Sequence, residues 1–259
     1  MKANILVITA TLGTRDTLKK TIESVKDIGG EHVKHIIVAP PIIIPKLQKE
    51  YPDLEFLAEP QGKKGIYPAI NHGFKTYGHN YKYLTFINDD DFWLPDFKLL
   101  IKESQKDIDF IYGKVNFILE CKKKQIKEMA CSKQFKDFIP LLHHNIVLFT
   151  QQATLIKSDL FFKLKGFSEN YKLVSDTLFW AKLSLLNINF KYIPKACAGY
   201  TIQEGQLSSD KNIQQQEMNL IIQTVLPKPN LFKIYFAFFK YRILNIPIYL
   251  KRYLQTNQI

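Results

Sequence analysis

The sequence predicts an α/β protein built on an open, mostly parallel sheet. Three observations carry that expectation: aliphatic runs without polar alternation, helical periodicity between them, and polar or acidic turns where the runs end. Residues 4–9, NILVIT, form the first run, of the kind expected for a strand covered on both faces by helices. The segment TRDTLKKTIESVKDIGG places Leu18, Ile22 and Val25 at helical spacing, offers Thr14 or Asp16 as its N-cap, and stops at Gly29 and Gly30. HIIVAP and LEFLAE read as the second and third strands. A helix begins near Pro68 and carries Ala69, Ile70 and Phe74. The strand YLTFIN then ends in NDDD, and a helix after Pro95 carries Phe97, Leu99, Leu100 and Ile101. Sheets of this kind bind ligands outside the carboxyl ends of their strands.

After about residue 110 the pattern becomes α+β. FIYGKVNFILE and QIKEMAC flank the basic turn CKKK like two antiparallel strands, and QATLIK reads as another strand. SDLFFKLKG is a short helix closed by glycine, and SDTLFWAKLSLL is a helix opened by Ser175 or Asp176. The turn-rich LPKPN at 226–230 precedes a basic, aromatic and apolar tail. No internal repeat or low-complexity tract interrupts the chain.

At 259 residues, 46% hydrophobic and 23% charged, the chain is long enough for one large α/β unit, and fibrous, collagenous or wholly disordered classes are excluded. A net charge of +12 draws it to polyanions: nucleotides, nucleic acid or an anionic membrane surface. Cys121, Cys131 and Cys197 match no disulfide framework, zinc ribbon or redox pair and read as reduced structural thiols. No h-region follows the N-terminus and no run of apolar residues is long enough to span a bilayer, so the cytoplasm is the expected compartment.

Three consecutive carboxylates, Asp89, Asp90 and Asp91, repel one another unless water or a cation compensates them. Carboxylate oxygens suit Mg²⁺ or Mn²⁺, whose remaining positions go to water and substrate phosphates. The other reading is a solvated loop that caps the next helix. Position at a strand end favours the first, because the first strand also ends in a polar turn, TATLGTR, and the two turns together frame a nucleotide. Thr9, Thr11 and Arg15 are then candidates for the base or ribose, and Lys63 or Lys64 for a diphosphate. Neither G-x-G-x-x-G nor a P-loop is present. Asp176 lies at a helix start, where the backbone favours its ionised form, as a base or simply as a cap. His143 and His144 are adjacent and read as surface or core polar residues. Phe179 and Trp180 read as core, with stacking of Trp180 on a sugar ring as the second reading.

Together these segments resemble glycosyltransferase family 2, the inverting nucleotide-sugar transferases with a GT-A fold. The likeness spans about residues 3–210 and rests on ILVITATLGTRDTLKKTIESV, GIYPAINHGFKTYGHNYKYLTFINDDDFWLP, QQATLIKSDLFFKLKGFSENYKLVSDTLFWAKL and EGQLS, in that order. Two departures are visible: VAPP stands where the family commonly has Asp-Asp-Gly-Ser, and Pro68 where it often has Asp. The resemblance implies a Rossmann-like sheet with an acceptor-side α+β half and a helical tail. It also implies Asp89 and Asp91 on the metal side with Asp91 foremost, Asp90 at the ribose, and Asp176 as base. Thr9, Ala10, Thr11, Arg15, Lys64 and Asn71 line the donor site, and Gln152 and Trp180 the acceptor site.

The expected activity is transfer from a nucleotide-sugar, UDP first, to a glycan or polyprenyl-linked acceptor of surface polysaccharide or lipopolysaccharide. Residues 1–110 form the donor half, 111–226 the acceptor and base half, and 227–259 a segment that holds the protein on the inner face of the cell membrane. Within the tail, Lys233, Lys240, Arg242, Lys251 and Arg252 alternate with aromatic and apolar residues, and Pro247 breaks the helix in two. The alternative for this segment is packing on the catalytic domain or a homo-oligomer contact. Two other classes compete. A sugar nucleotidyltransferase calls for a glycine-rich basic signature near the first strand, which TATLGTRDT is not. A nucleic-acid-binding protein calls for a basic stripe across the core, whereas basic and aromatic density here concentrates after residue 230, so no nucleic-acid partner is expected.

Overall fold

The computed structural model describes residues 3–119, 124–203 and 210–256. Cys121 and the whole of EGQLS lie outside the described residues. Four parallel strands form the first half of the sheet: β1 (Ile5–Ala10), β2 (Val33–Ala39), β3 (Glu55–Ala58) and β4 (Tyr83–Phe86). They are joined through α1 (Leu18–Gly29), α2 (Ile44–Glu50) and α3 (Ile66–Tyr77). The apolar run of β1 is buried on both sides. Ile5 and Val7 pack into one core with Val25 and Trp93, while Leu6 and Ile8 pack into the other with Ile70 and Phe74.

The chain moves outward from β1 through β2 to β3, then returns to β4 on the other side of β1. This reversal leaves a crevice outside the carboxyl ends of β1 and β4. After β5 (Phe92–Trp93) and α4 (Phe97–Ser104), the sheet continues with β6 (Phe110–Leu119), β7 (Lys124–Glu128), β8 (Thr154–Lys157) and β9 (Phe190–Ile202). The order is β3-β2-β1-β4-β8-β6-β9-β5, with β7 on β6, so one sheet runs through both halves. β8 joins β4 and β6 antiparallel, and β6 pairs with β7 antiparallel, as the basic turn between them suggests.

The second half carries α5 (Phe138–Leu142), α6 (Ser158–Lys163), α7 (Ser175–Ser184) and α8 (Lys211–Leu220). β9 is absent from the sequence reading, because Lys191, Pro194 and Lys195 interrupt its apolar pattern. It pairs with β6 in parallel along its whole length, with register shifts beside Gly113. A side chain at Gly113 would put Cβ 2.7 Å from the Cys197 sulfur, so glycine permits this approach.

Three local expectations are corrected. Neither Thr14 nor Asp16 caps α1. Its N-cap is Thr17, whose hydroxyl makes no cap bond and instead donates to the Asp89 carbonyl at 2.9 Å. Helix α7 starts at Ser175 with Val174 as N-cap. The tail forms α9 (Leu231–Leu244) and α10 (Ile246–Thr256), broken at Asn245 with Pro247 in the first turn of α10, where its missing N–H costs nothing. Of its apolar residues, Ala237, Tyr241 and Ile248 are buried against the body. Tyr241 donates to the Ala130 carbonyl at 2.8 Å and the Gln134 amide to the Ala237 carbonyl at 3.3 Å. The opposite face exposes Phe232, Phe236, Phe239 and Ile243.

Candidate active site

The polar turn after β1 and the acidic loop after β4 meet at the crevice. Thr11 donates to Asp89 Oδ2 at 2.7 Å, and the Arg15 guanidinium lies 3.2 Å from Asp89 Oδ1 and also bonds Asp90 Oδ2. The hydroxyls of Thr17 and Thr21 in the first turns of α1 donate to the Asp89 and Asp91 carbonyls, the latter at 2.6 Å. Burial pushes Asp89 above the usual carboxylate range, although the Thr11 hydrogen bond and the Arg15 charge pull the other way.

Asp91 differs from its neighbours. It is 1% exposed, its Oδ1 accepts the Thr201 N–H at 2.8 Å, and its Oδ2 accepts Gln152 at 2.7 Å and Asn88 at 3.1 Å. Burial first and then the Asp90 charge push it up to about 8, against the three donors. Its oxygens are committed to tying the loop to β9 and to the turn before β8. Asp89 and Asp90 are the pair that converge on one positive group, Arg15. Gln152, expected at the acceptor, is 1% exposed and holds Asp91 instead. Gln203, whose amide donates to Asp90 Oδ2 at 3.1 Å, escaped the sequence reading because it follows the unrecognised β9.

Two other donor-site expectations change. Thr9 is fully buried, and its hydroxyl shares a 2.9 Å hydrogen bond with His35 Nε2, so it faces the neighbouring strand. Asn71 is buried on α3 and clamps the backbone of the second half: its amide donates to the Phe167 carbonyl at 2.8 Å, and its Oδ1 accepts the Phe167 N–H at 3.0 Å. A Cβ at Gly166, which has φ of 72°, would lie 2.8 Å from Asn71 Oδ1, so only glycine suits that turn. Ala10 is half-buried where β1 ends, and Lys64 is exposed before α3. Neighbouring Lys63 pairs with Glu169 at 2.6 Å and holds its carboxyl low.

Asp176 stands in the first turn of α7. Its Oδ1 accepts the Thr177 N–H at 2.7 Å and the Tyr67 hydroxyl at 3.0 Å, and burial raises it above the usual range despite these bonds. Trp180, one turn further on, is 2% exposed, with its ring 5.1 Å from those of Phe110 and Phe179. It is a core residue and offers no platform for an acceptor sugar.

Among the described residues no three or more His, Cys, Asp or Glu side chains converge as a metal cage. Two carboxylates nevertheless fit a hard divalent ion, which needs one or two of them beside substrate phosphates. Asp89 and Asp90 both bond one guanidinium nitrogen of Arg15. The donor set is all oxygen.

An open sheet with this switch point, an acidic loop at its rim and a separate carboxylate at the start of α7 make up the arrangement of the GT-A fold. The chain belongs to glycosyl transferase family 2, whose model matches residues 6–164. A comparison with curated proteins gives no match. Among solved structures, residues 1–349 of S. aureus TarS in complex with UDP-GlcNAc are similar with a TM-score of 0.65 and 14% identity, over 94% of this chain and 73% of that one. S. aureus TarS itself gives 0.60 and 15%, over 94% of this chain and 44% of that one. The mannosyltransferase PcManGT from Pyrobaculum calidifontis, in complex with GDP-Man and Mn²⁺, gives 0.58 and 13%, over 99% and 76%. At these identities the likeness establishes the fold. The protein is a glycosyltransferase.

Proposed function

We propose an inverting transferase that moves a sugar from a nucleotide-sugar, UDP first, to a glycan or polyprenyl-linked acceptor in surface polysaccharide or lipopolysaccharide assembly. One observation carries this reading: the carboxylates divide into a pair supported by a guanidinium and a separate one supported by neutral donors. Residues 1–110 supply the donor site and 111–226 the base. Thr11, Arg15, Asp89, Asp90 and Lys64 bind the nucleotide end, joined by Gln203 from the second half.

Asp89 and Asp90 would hold Mg²⁺ or Mn²⁺, which when bound neutralises the diphosphate leaving group. Asp176 takes the proton of the acceptor hydroxyl as that oxygen bonds to the anomeric carbon, and the bond from carbon to diphosphate oxygen breaks on the opposite face. Both hydrogen bonds to Asp176 fall on Oδ1, so Oδ2 is the freer oxygen. The bound UDP-GlcNAc of TarS and GDP-Man with Mn²⁺ of PcManGT support a nucleotide-sugar donor.

The tail is proposed to hold the protein on the inner face of the cell membrane. No helix among the described residues is long and apolar enough to cross a membrane. Support comes from the exposed face of α9 and from six basic residues with no acidic one between 227 and 259. Lys240 and Lys251 are already bound to Asp137 and Glu128, so Lys228, Lys233 and Arg242 supply the pull on anionic lipid.

The test is calorimetric titration of a nucleotide-sugar panel, including UDP-GlcNAc and GDP-Man, with and without Mn²⁺, together with release of nucleoside diphosphate. Metal-dependent binding and release are expected. Binding indifferent to Mn²⁺ throughout the panel would overturn the reading.

A further inference from the structure

Resting on Asp176 as the base, we propose that Tyr67 is its positioning residue: a helix of the donor half sets the base of the acceptor half through one phenolic hydrogen bond. Tyr67 lies in the first turn of α3, is 6% exposed, and packs its ring 5.7 Å from that of Phe167. Its hydroxyl reaches Asp176 Oδ1 at 3.0 Å and the Leu173 carbonyl at 3.2 Å. A phenol has one proton to donate, and an ionised carboxylate draws it more strongly than a peptide carbonyl does. Burial and the Asp176 charge push Tyr67 far above its ordinary value, so it remains a donor wherever Asp176 is ionised.

The backbone leading to Asp176 is held from a second side. Glu217 on α8 accepts the Lys172 N–H at 2.8 Å and the Leu173 N–H at 2.9 Å. Besides burial, the groups acting on Asp176 are therefore Tyr67 from α3 and, on α7, Thr177 and the Asp176 backbone, while the negative Glu217 from α8 acts on Tyr67. The helix that carries Tyr67 also carries Asn71, which clamps Phe167. One face of α3 thus fixes both ends of the 167–176 segment.

Tyr67→Phe keeps the ring against Phe167 and removes only the donor, so a purely packing role leaves the titration of Asp176 in place. In protein labelled with ¹³C-aspartate, the Asp176 carboxyl resonance is assigned by its loss in Asp176→Asn. Its midpoint is expected to rise by about one pH unit in Tyr67→Phe, the worth of a hydrogen bond to a charged group. 3-Fluorotyrosine at position 67, a stronger donor of nearly the same shape, should lower it. The acid limb of nucleotide-sugar hydrolysis, measured with UDP-GlcNAc or GDP-Man and Mn²⁺, should move in the same directions, and Tyr67→Phe should recover its rate at high pH. An unmoved midpoint, or a moved midpoint with an unmoved acid limb, overturns the proposal while Asp176→Asn remains inactive. If Asp176→Asn instead turns over at the parent rate, the base reading itself fails and Tyr67 has nothing to position.

Discussion

Asp89 and Asp90 meet a guanidinium, whereas Asp176 meets a phenol and a peptide N–H. Asp89 and Asp176 both sit where burial makes a carboxylate costly to ionise, yet the two regions treat that cost differently. At the β4 end a formal charge, Arg15, offsets part of it. At the start of α7 only neutral dipoles do so, and the carboxyl stays more basic than an ordinary aspartate. The first arrangement suits binding a diphosphate with its metal, the second suits taking a proton.

The sharpest way to break this comparison is to remove the proton acceptor. Asp176→Asn should lower turnover by about 10²–10⁴, the usual worth of general-base catalysis, as measured by release of nucleoside diphosphate. Next come two neighbours with different work. Asp90→Ala should weaken Mn²⁺-dependent nucleotide binding at least about tenfold, the scale of one lost charge-assisted contact. Asp91→Ala should chiefly lower thermal stability, because Asn88, Gln152 and the Thr201 N–H lose their acceptor. A loss of about 3 kcal/mol is expected, read as a fall in the unfolding midpoint of roughly 6–12 °C.

The pH behaviour sharpens the same contrast more gently. A base at Asp176 must be ionised and its folded value is raised, so on the proposed reading the acid limb of turnover should lie above the ordinary aspartate value of about 4. A carboxyl raised on folding contributes stability below its unfolded value and loses that contribution as pH climbs through the folded value. Asp176→Asn stays neutral, so its melting temperature should exceed the parent's at pH 7, with the margin shrinking toward pH 4. The smallest effect belongs to the tail. Phe232→Ser with Phe236→Ser should reduce sedimentation with anionic vesicles and leave donor hydrolysis intact. Point changes on the outer face serve better than deleting residues 228–259, since deletion would uncover the surface that Ala237 and Tyr241 bury.

Much of this was legible in the sequence where local pattern and tertiary environment agree. β1, α1, β4 and the acidic turn follow from doubly buried runs and helical spacing. What stayed hidden is direction. Thr9 and Thr11 look interchangeable in TATLGT, yet one faces His35 and the other Asp89. Asp89, Asp90 and Asp91 look alike, and which one turns inward depends on Thr201 and Gln152, brought there by β9 and by the turn before β8. Gln203 follows a strand whose Pro194 and lysines conceal it. Helix α7 is buried around most of its circumference, and Phe179 and Trp180 point into the core, as their apolar character suggests.

The division of labour between the two carboxylate regions is tested most directly by titrating Asp90→Asn and Asp176→Asn side by side with the tightest-binding nucleotide-sugar and Mn²⁺ in a calorimeter. Asp176→Asn is expected to bind the donor as the parent does, and Asp90→Asn to lose the metal-dependent part of that affinity. Equal loss of donor affinity in both variants, or loss in Asp176→Asn alone, would contradict the separation of binding from proton transfer.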